Sequence, residues 1–146
     1  MARKLSIKVY SDGAVLETML KDLNSGLVSG FTTNPSLMKK AGITSYIGFA
    51  KEVLKDIKEF PVSFEVFADD IETMEKEAEK IASLGENVYV KIPVTNSKGE
   101  STVDLMKRLA AKGVKINATA IFTLEQVCEV VGALKAGTPG RSEERR

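Results

Sequence analysis

The 146-residue sequence contains no histidine and a single cysteine, Cys128. Without histidine, the chain lacks Ser-His and Cys-His nucleophile pairs and the commonest general base of enzymes. A lone cysteine forms no intrachain disulfide, and the usual zinc ligand sets need histidine or several thiolates. Any catalysis by this chain therefore relies on carboxylates, lysine, tyrosine, hydroxyl groups or amides.

The sequence also lacks a charge imbalance and any apolar run long enough to span a membrane. It has 21 Lys and Arg residues against 20 Asp and Glu, a formal net charge of +1. No nucleic-acid or membrane partner is therefore predicted. The first residues, MARKLSIKVYSDG, have no apolar segment of the kind found in signal peptides. These absences predict a cytoplasmic protein.

What is present is an alternation of short strand patterns with longer amphipathic helices. The predicted strands are Ser6–Tyr10, Gly26–Thr32, Pro61–Phe67, Asn87–Val94 and Val114–Ile121. The first predicted helix has an apolar stripe from Val15 to Leu23, and the second is a short turn of helix at Pro35–Lys40. The others are Ser45–Lys58, Ile71–Leu84, Thr102–Lys112 and Leu124–Leu134. On the last helix, Cys128 lies on one apolar stripe with Leu124, Val127, Val131 and Leu134, which predicts a buried thiol. Five successive βα units predict an α/β fold with parallel strands.

Two architectures fit this alternation: an open doubly wound sheet, or part of a (β/α)₈ barrel. An open sheet that binds nucleotides would carry a glycine-rich phosphate loop after its first strand. The corresponding turn reads YSDGAVLE, which has neither GxGxxG nor a Walker pattern. A complete barrel needs about 200 residues or more, so this chain supplies about five of eight βα units.

Polar side chains occur in or directly after every predicted strand, close to the carboxyl ends where active sites of both architectures lie. These residues are Asp12, Thr33, Asn34, Glu65, Lys91, Asn117 and Thr119. Lys91 stands out, because it interrupts the near-continuous apolar strand NVYVKIPVT. The whole set predicts a catalytic or binding face at this end of the strands.

Each of these residues also has a structural interpretation. Asp12 suits the N-cap of the first helix, and Asn34 before Pro35 suits a capped helix start. Lys91 and Glu65 suit an ion pair across neighbouring strands. Asn117 and Thr119 alternate with apolar residues, so a period of two alone could place them outward. The occurrence of such residues in all five strands favours the functional interpretation.

The chemistry of the set is that of a metal-free and cofactor-free aldol reaction. A lysine enclosed by apolar neighbours is desolvated, which disfavours the ammonium form. A neutral amine can attack a carbonyl and form a Schiff base, and the iminium then serves as an electron sink for cleavage of a neighbouring carbon–carbon bond. Asp12 or Glu65 could move the proton of the substrate hydroxyl, while the amides and a hydroxyl orient a polyol.

The residues that carry this chemistry lie in stretches that closely resemble the transaldolase family, particularly its small microbial members and their fructose-6-phosphate aldolase relatives. The stretches are SDGAVLE, GLVSGFTTNPSLM, VSFEVFADD, NVYVKIPVT and KINATAIFTLEQ, within residues 5–138. The resemblance implies a TIM-type parallel (β/α) barrel, incomplete here. It also implies a class I, Schiff-base transfer of a dihydroxyacetone unit between sugar phosphates, in the non-oxidative pentose phosphate pathway.

The resemblance also implies a role for each site residue. Lys91 resembles the Schiff-base lysine and Asp12 the acid/base for bond cleavage, while Glu65 with Thr119 would position a catalytic water. The substrate-orienting contacts implied by the motifs are Asn34, Asn117 and, more weakly, Thr33. Glu65 favours transaldolase over the aldolase relatives, whose equivalent strand typically has glutamine.

The sequence departs from the family after Leu134, where the relatives continue into further βα units and a phosphate-binding strand. Residues 1–137 are therefore expected to form a partial barrel domain, and residues 138–146 of the ending GTPGRSEERR a charged, disordered tail. An incomplete barrel exposes strand edges, which predicts a homo-oligomer. The alternatives are a fructose-6-phosphate aldolase and a catalytically silent fragment or interaction module.

Overall fold

The computed structural model describes residues 7–134 and 140–144, and the chain divides into two compact units at the boundary between residues 62 and 63. Both units are built from parallel strands that alternate with helices. This alternation confirms the predicted α/β class and the succession of βα units of an incomplete parallel barrel. Within the described residues, no helix is both long enough and apolar enough to cross a membrane.

The described residues of the first unit form two strands and three helices. They are β1 (Tyr10–Asp12), α1 (Leu16–Asn24), β2 (Gly30–Thr32), α2 (Pro35–Lys40) and α3 (Tyr46–Asp56). β1 and β2 pair in parallel, with Tyr10 opposite Gly30 and Asp12 opposite Thr32. The core of this unit is apolar and includes Met19, Phe31, Met38, Phe49 and Val53, all buried. Burial of each such side chain contributes about 1.5–3 kcal/mol.

The second unit begins at Ser63, the second residue of β3. Its elements are β3 (Val62–Glu65), α4 (Ile71–Ala82), β4 (Val88–Pro93), α5 (Val103–Ala111), β5 (Ile116–Ile121), α6 (Leu124–Leu134) and β6 (Gly140–Glu144). The strands are neighbours in chain order, β3-β4-β5-β6. β4 and β5 pair in parallel, with Lys91 opposite Asn117 and Pro93 opposite Thr119.

β4 and β5 are buried along nearly their whole length, as strands covered on both faces are. Helices α4 and α5 pack against them and bury Met74, Ile81, Leu105 and Leu109. Successive residues of a strand point to opposite faces. The residues of β4 that face the helices are buried beneath them. Lys91 alternates with these residues along the strand, so it lies on the other face of the sheet.

The predicted elements agree with the structure, with shifts at their ends. The helices at Pro35–Lys40 and Leu124–Leu134 match the prediction at both ends. The first strand runs from Tyr10 to Asp12, opposite Gly30–Thr32, so Tyr10 is the one described residue of the predicted Ser6–Tyr10 that belongs to it. Ser6 lies outside the described residues. Strand patterns locate a pleated segment, whereas the pairing partner decides which residues join the ladder.

The prediction of a buried thiol at Cys128 is wrong, because Cys128 is exposed. Of the other residues on its stripe, Leu124 and Val131 are 78% and 52% exposed, whereas Val127 and Leu134 are half-buried. The helix instead buries Val130 and Ala133. A highly apolar helix offers more than one apolar stripe, so periodicity alone does not say which one faces the core.

The backbone of residues 140–144 forms β6, parallel to β5, with Asn117 opposite Arg141. For these five residues the structure has a strand where the sequence predicts a disordered tail. Ladder hydrogen bonds involve only backbone groups, so the edge of β5 can pair with a charged segment. The predicted boundary at residue 137, and residues 138, 139, 145 and 146, lie outside the described part of the chain.

Helices α4 and α5 are joined by a charge cluster. Glu75 accepts hydrogen bonds from Arg108 Nη2 at 2.7 Å and Lys112 Nζ at 2.9 Å, and Lys112 also donates to Glu79 at 2.5 Å. Hydrogen bonds from Arg108 and then Lys112 lower the pKa of Glu75 from 4.5 to about 2. Because the folded chain favours the carboxylate, this cluster stabilises the fold above pH 4.5 and loses that contribution as the pH falls towards 2.

We expect Glu75→Gln to lower the free energy of unfolding at pH 7 by up to about 1 kcal/mol, a modest amount because the cluster contacts water. The difference from the parent chain should close between pH 4.5 and 2, measured by urea denaturation across that range. Glu72→Gln is the matched control, since it removes an exposed carboxylate paired with Lys76 on the same helix. A stability difference that persists at pH 2 would contradict this account.

Candidate active site

Lys91 lies in the middle of β4 with a side chain that is only 1% exposed. Its Nζ is 4.0 Å from Oε2 of Glu65 on the adjacent strand β3. The backbone fixes the two strands at this level, because Val66 N donates to Lys91 O at 3.1 Å. The lysine that the sequence singles out is thus a buried amine with a carboxylate at ion-pair distance.

Asn117 occupies the strand on the other side of β4, directly opposite Lys91 in the ladder. It is 1% exposed, and its Nδ2 donates to the hydroxyl of Ser63 at 3.1 Å. Ser63 lies on β3, is fully buried, and shares its face with Glu65 two residues later. Sequence reasoning missed Ser63. Its position two residues before Glu65 in VSFE was the signal that could have found it.

Thr119 follows Asn117 on the same face of β5 and is 2% exposed. Its Oγ1 is buried and has no hydrogen-bond partner among the described residues. The next residue, Ala120, has a φ of 60°, and the ladder shifts register between Ala118 and Ile121. A left-handed alanine costs about 1–2 kcal/mol. Backbone strain of this kind is concentrated at functional sites, so it supports a functional role for the carboxyl end of β5.

In the first unit, the structure brings Asp12 together with Thr32, whose Oγ1 donates to Asp12 Oδ1 at 2.7 Å. The alternative that Asp12 caps the first helix is wrong, because the N-cap of α1 is Val15, with no side-chain cap. The carboxylate is instead exposed and held at the carboxyl end of β1. Thr33 directly follows β2 and is fully buried.

Asn34 is the N-cap of α2, as its capping interpretation predicts. Its Oδ1 accepts from Leu37 N at 3.0 Å, and Pro35 occupies the first helical position.

We expect Asn34→Ala to cost about 1 kcal/mol of stability, while Asn34→Asp retains the cap. Thermal denaturation of the two variants checks this. Equal loss of stability in both would show that the cap contributes nothing.

The loop after β4 is tied to the segment after β3. Asn96 Nδ2 donates to Asp69 O at 3.1 Å, and its Oδ1 accepts from the backbone of Lys98 and Glu100. Ser97 donates to Asp69 through both its hydroxyl and its backbone N–H. The Ser97 hydroxyl chiefly holds the pKa of Asp69 below its ordinary value. This network fixes the chain beyond Lys91, and sequence reasoning did not predict it.

The four site residues predicted in the second unit therefore lie on one face of the β3-β4-β5 sheet: Glu65, Lys91, Asn117 and Thr119. Asp12, Thr33 and Asn34 lie at the ends of β1 and β2 in the first unit. No three histidine, cysteine or carboxylate side chains of the described residues are grouped as a metal site. A buried amine beside a carboxylate, an amide and a hydroxyl is equipped for covalent chemistry on a carbonyl.

Fold and site thus define a class: an α/β chain of successive βα units with a buried lysine on a central strand. The family model for Transaldolase/Fructose-6-phosphate aldolase matches residues 9–141. The chain belongs to that family.

Curated relatives of this chain are named probable transaldolases. A probable transaldolase of Methanococcus maripaludis strain C7 is 43% identical over 135 residues, covering 90% of this chain and 57% of the relative. A probable transaldolase of Dehalococcoides mccartyi is 37% identical over 128 residues, covering 88% of this chain and 56% of the relative. The chain thus spans a little more than half the length of the curated relatives it matches.

Proposed function

We propose that this chain carries the Schiff-base half of a transaldolase-type site, which transfers a dihydroxyacetone unit between sugar phosphates. The observation that carries the proposal is the buried Lys91 of β4, with Glu65 Oε2 4.0 Å from its Nζ. Family membership supports the transaldolase or aldolase type of reaction. The proposed setting is the non-oxidative pentose phosphate pathway in the cytoplasm.

In the proposed reaction, neutral Nζ of Lys91 attacks the C2 ketone of fructose 6-phosphate and forms a carbinolamine. Loss of water gives the iminium. Asp12 then takes the proton of the C4 hydroxyl, the C3–C4 bond breaks, and its electron pair flows into the iminium to give an enamine. Glyceraldehyde 3-phosphate leaves, and the enamine carbon attacks the aldehyde of an aldose phosphate acceptor. Asp12 returns its proton to the new C4 hydroxyl, and hydrolysis of the iminium releases the new ketose.

The remaining roles are assigned from the family motifs. Glu65 and Thr119 position the water that is lost and regained at the carbinolamine. The buried Oγ1 of Thr119 supports this role, because a buried hydroxyl without a partner carries a desolvation cost that a ligand can offset. Asn117, Asn34 and Thr33 orient the substrate hydroxyls. A homo-oligomer is part of this proposal, since β1 and β6 are the terminal strands of the order that the described residues form.

The second candidate is fructose-6-phosphate aldolase activity, in which the enamine is protonated and dihydroxyacetone is released. Glu65, in place of the glutamine typical of those relatives, favours the transferase. The third is a catalytically silent fragment or interaction module, which the partial coverage of the relatives keeps open.

Product analysis separates these candidates. The chain is incubated with fructose 6-phosphate, with and without an aldose phosphate acceptor, and the products are followed by coupled assay and mass spectrometry. A transaldolase gives a new ketose phosphate only with the acceptor. An aldolase releases free dihydroxyacetone without it. Absence of any product, together with absence of a covalent intermediate, would overturn the enzymatic proposal in favour of the silent module.

A further inference from the structure

Glu77 of α4 binds the backbone of the segment that directly follows β3. Its Oε2 accepts hydrogen bonds from the N–H groups of Phe67 at 2.7 Å and Ala68 at 2.9 Å. Side chains of a helix lean towards its N-terminus, so Glu77, in the second turn of α4, can reach back to the chain that leads into the helix. An ionised carboxylate only accepts and a backbone N–H only donates, so the direction of both bonds is fixed.

These two bonds directly follow a backbone contact between the end of β3 and the lysine strand. Glu65 is the last residue of β3, and Val66 N donates to Lys91 O at 3.1 Å. The next two N–H groups along the chain bond to the carboxylate of α4 instead of to a neighbouring strand. The carboxyl end of β3 is therefore held by both β4 and α4.

This end of β3 carries a carboxylate that takes part in the proposed chemistry. Oε2 of Glu65 is buried and lies 4.0 Å from Lys91 Nζ. Chain ends of strands open locally at little cost unless their backbone groups are bonded. Hydrogen bonds to a charged acceptor are roughly twice as strong as those between neutral groups, so the carboxylate of Glu77 is an effective anchor for the residues after Glu65.

We propose that Glu77 is a positioning residue, which anchors the chain after β3 and so holds Glu65 beside Lys91. The inference rests on the proposed Schiff-base function, in which Glu65 and Thr119 position the water that is lost and regained at the carbinolamine. Glu77 acts through the backbone and not on the substrate. It supplies an acceptor oxygen at a fixed reach, so the length of its side chain matters more than its charge.

The experiment follows borohydride trapping of fructose 6-phosphate at Lys91 of the full chain over a range of sugar concentrations. Glu77→Ala should lower the maximal trapping rate about tenfold and leave the half-saturating concentration within about twofold. A 1 Å displacement can cost on the order of 10²-fold. A smaller loss is expected here, because Asp69 still holds the segment through its bonds from Ser97.

Two conservative variants separate reach from charge. Glu77→Asp keeps the charge but is one methylene shorter, so it should lose as much of the maximal rate as Glu77→Ala. Glu77→Gln keeps an acceptor oxygen at full reach. It should retain about half of the parent rate or more, because its neutral oxygen is a weaker acceptor in the same place. The comparison of these two variants decides the question even if Glu77→Ala does not fold.

Asp70→Ala is the matched control for a folding defect in the same segment. Asp70 Oδ1 accepts from Thr73 N and caps α4, so its loss should lower the thermal midpoint. The maximal trapping rate of this variant, measured where it is folded, should stay within about twofold of the parent rate.

Two further measurements test the route through Glu65. In a Glu65→Ala background, Glu77→Ala should have little further effect on trapping, because its influence passes through the side chain that is already missing. In ¹⁵N–¹H spectra, the backbone amide protons of Phe67 and Ala68 should exchange with solvent faster in Glu77→Ala than in the parent chain.

The outcomes are distinct. An unchanged maximal rate in Glu77→Asp, an equal loss in Asp70→Ala, or a full further loss in the Glu65→Ala background would overturn the positioning role and leave the proposed function intact. A parent chain that forms no adduct at Lys91 would overturn the proposed function, and this inference with it. A loss in Glu77→Asp with recovery in Glu77→Gln is the result that the structure predicts.

Discussion

Lys91→Met is expected to abolish borohydride trapping of fructose 6-phosphate, and with it any transfer activity, while the chain remains folded. Methionine has no nucleophile, so neither the carbinolamine nor the iminium can form. Removal of a catalytic nucleophile typically lowers the rate on the order of 10⁴-fold or more. Residual turnover should therefore fall below detection.

Stability should not explain this loss. Lys91 is 1% exposed, so its replacement by an unbranched apolar side chain removes a desolvated amine from the interior. Removal of one partner of a buried ion pair leaves the other charge uncompensated and costs about 3–5 kcal/mol. Oε2 of Glu65, the atom that faces Lys91 Nζ, is itself buried, so Lys91→Met should have a lower thermal midpoint than the parent chain. Trapping is therefore measured at a temperature at which circular dichroism shows the variant to be folded.

Lys107→Met is the matched control, because it removes the same charge from an exposed position on α5. It should leave trapping unchanged. Trapping that persists in Lys91→Met, or an equal loss in Lys107→Met, would show that the reactive amine is not the one on β4.

Gly30→Ala is expected to have the largest effect on stability among single changes considered for the first unit. A Cβ at this position would lie 2.7 Å from Pro61 O, 2.7 Å from Tyr10 Cε1 and 2.8 Å from Pro61 Cγ. Two of these atoms belong to a proline, which has little freedom to move away. Because Phe31 N also donates to Pro61 O, relief of the clash would disturb this backbone contact.

Overpacking of this kind costs about 3 kcal/mol. For a chain of this size that corresponds to a drop of roughly 6–12 °C in the thermal midpoint. Gly132→Ala is the control, since a Cβ there meets nothing within 4 Å. On α6, it should instead stabilise the chain by about 0.5–1 kcal/mol, through helix propensity. A neutral Gly30→Ala would contradict the close packing of β1, β2 and the chain before β3.

Much of the second unit's site could be predicted from the sequence because strands constrain side chains strongly. In a parallel ladder, Lys91 and Asn117 can share a face only at matching positions, and the alternation of VYVKIP and INATAI specifies that face. The sequence allows two interpretations of Lys91 and Glu65, a structural ion pair across neighbouring strands or a pair of catalytic residues. The distance of 4.0 Å between Lys91 Nζ and Glu65 Oε2 agrees with both interpretations.

Other features depend on contacts that a linear pattern does not encode. Ser63 becomes notable only once β3 and β5 flank the same strand. Asn96 organises its loop through Asp69, which lies 27 residues away. The apolar stripes of α6 are equivalent in sequence, so periodicity predicts burial of a stripe that contains exposed residues, and packing alone distinguishes the stripes.

The most direct test of the proposed chemistry is the site and mass of the adduct left by borohydride reduction of the chain with fructose 6-phosphate. The account predicts a single modified peptide containing Lys91, with the mass of a reduced three-carbon dihydroxyacetone unit, because the C3–C4 bond has broken. A six-carbon adduct at Lys91 would show Schiff-base formation without cleavage. No adduct, or an adduct at another lysine, would contradict the assignment of Lys91.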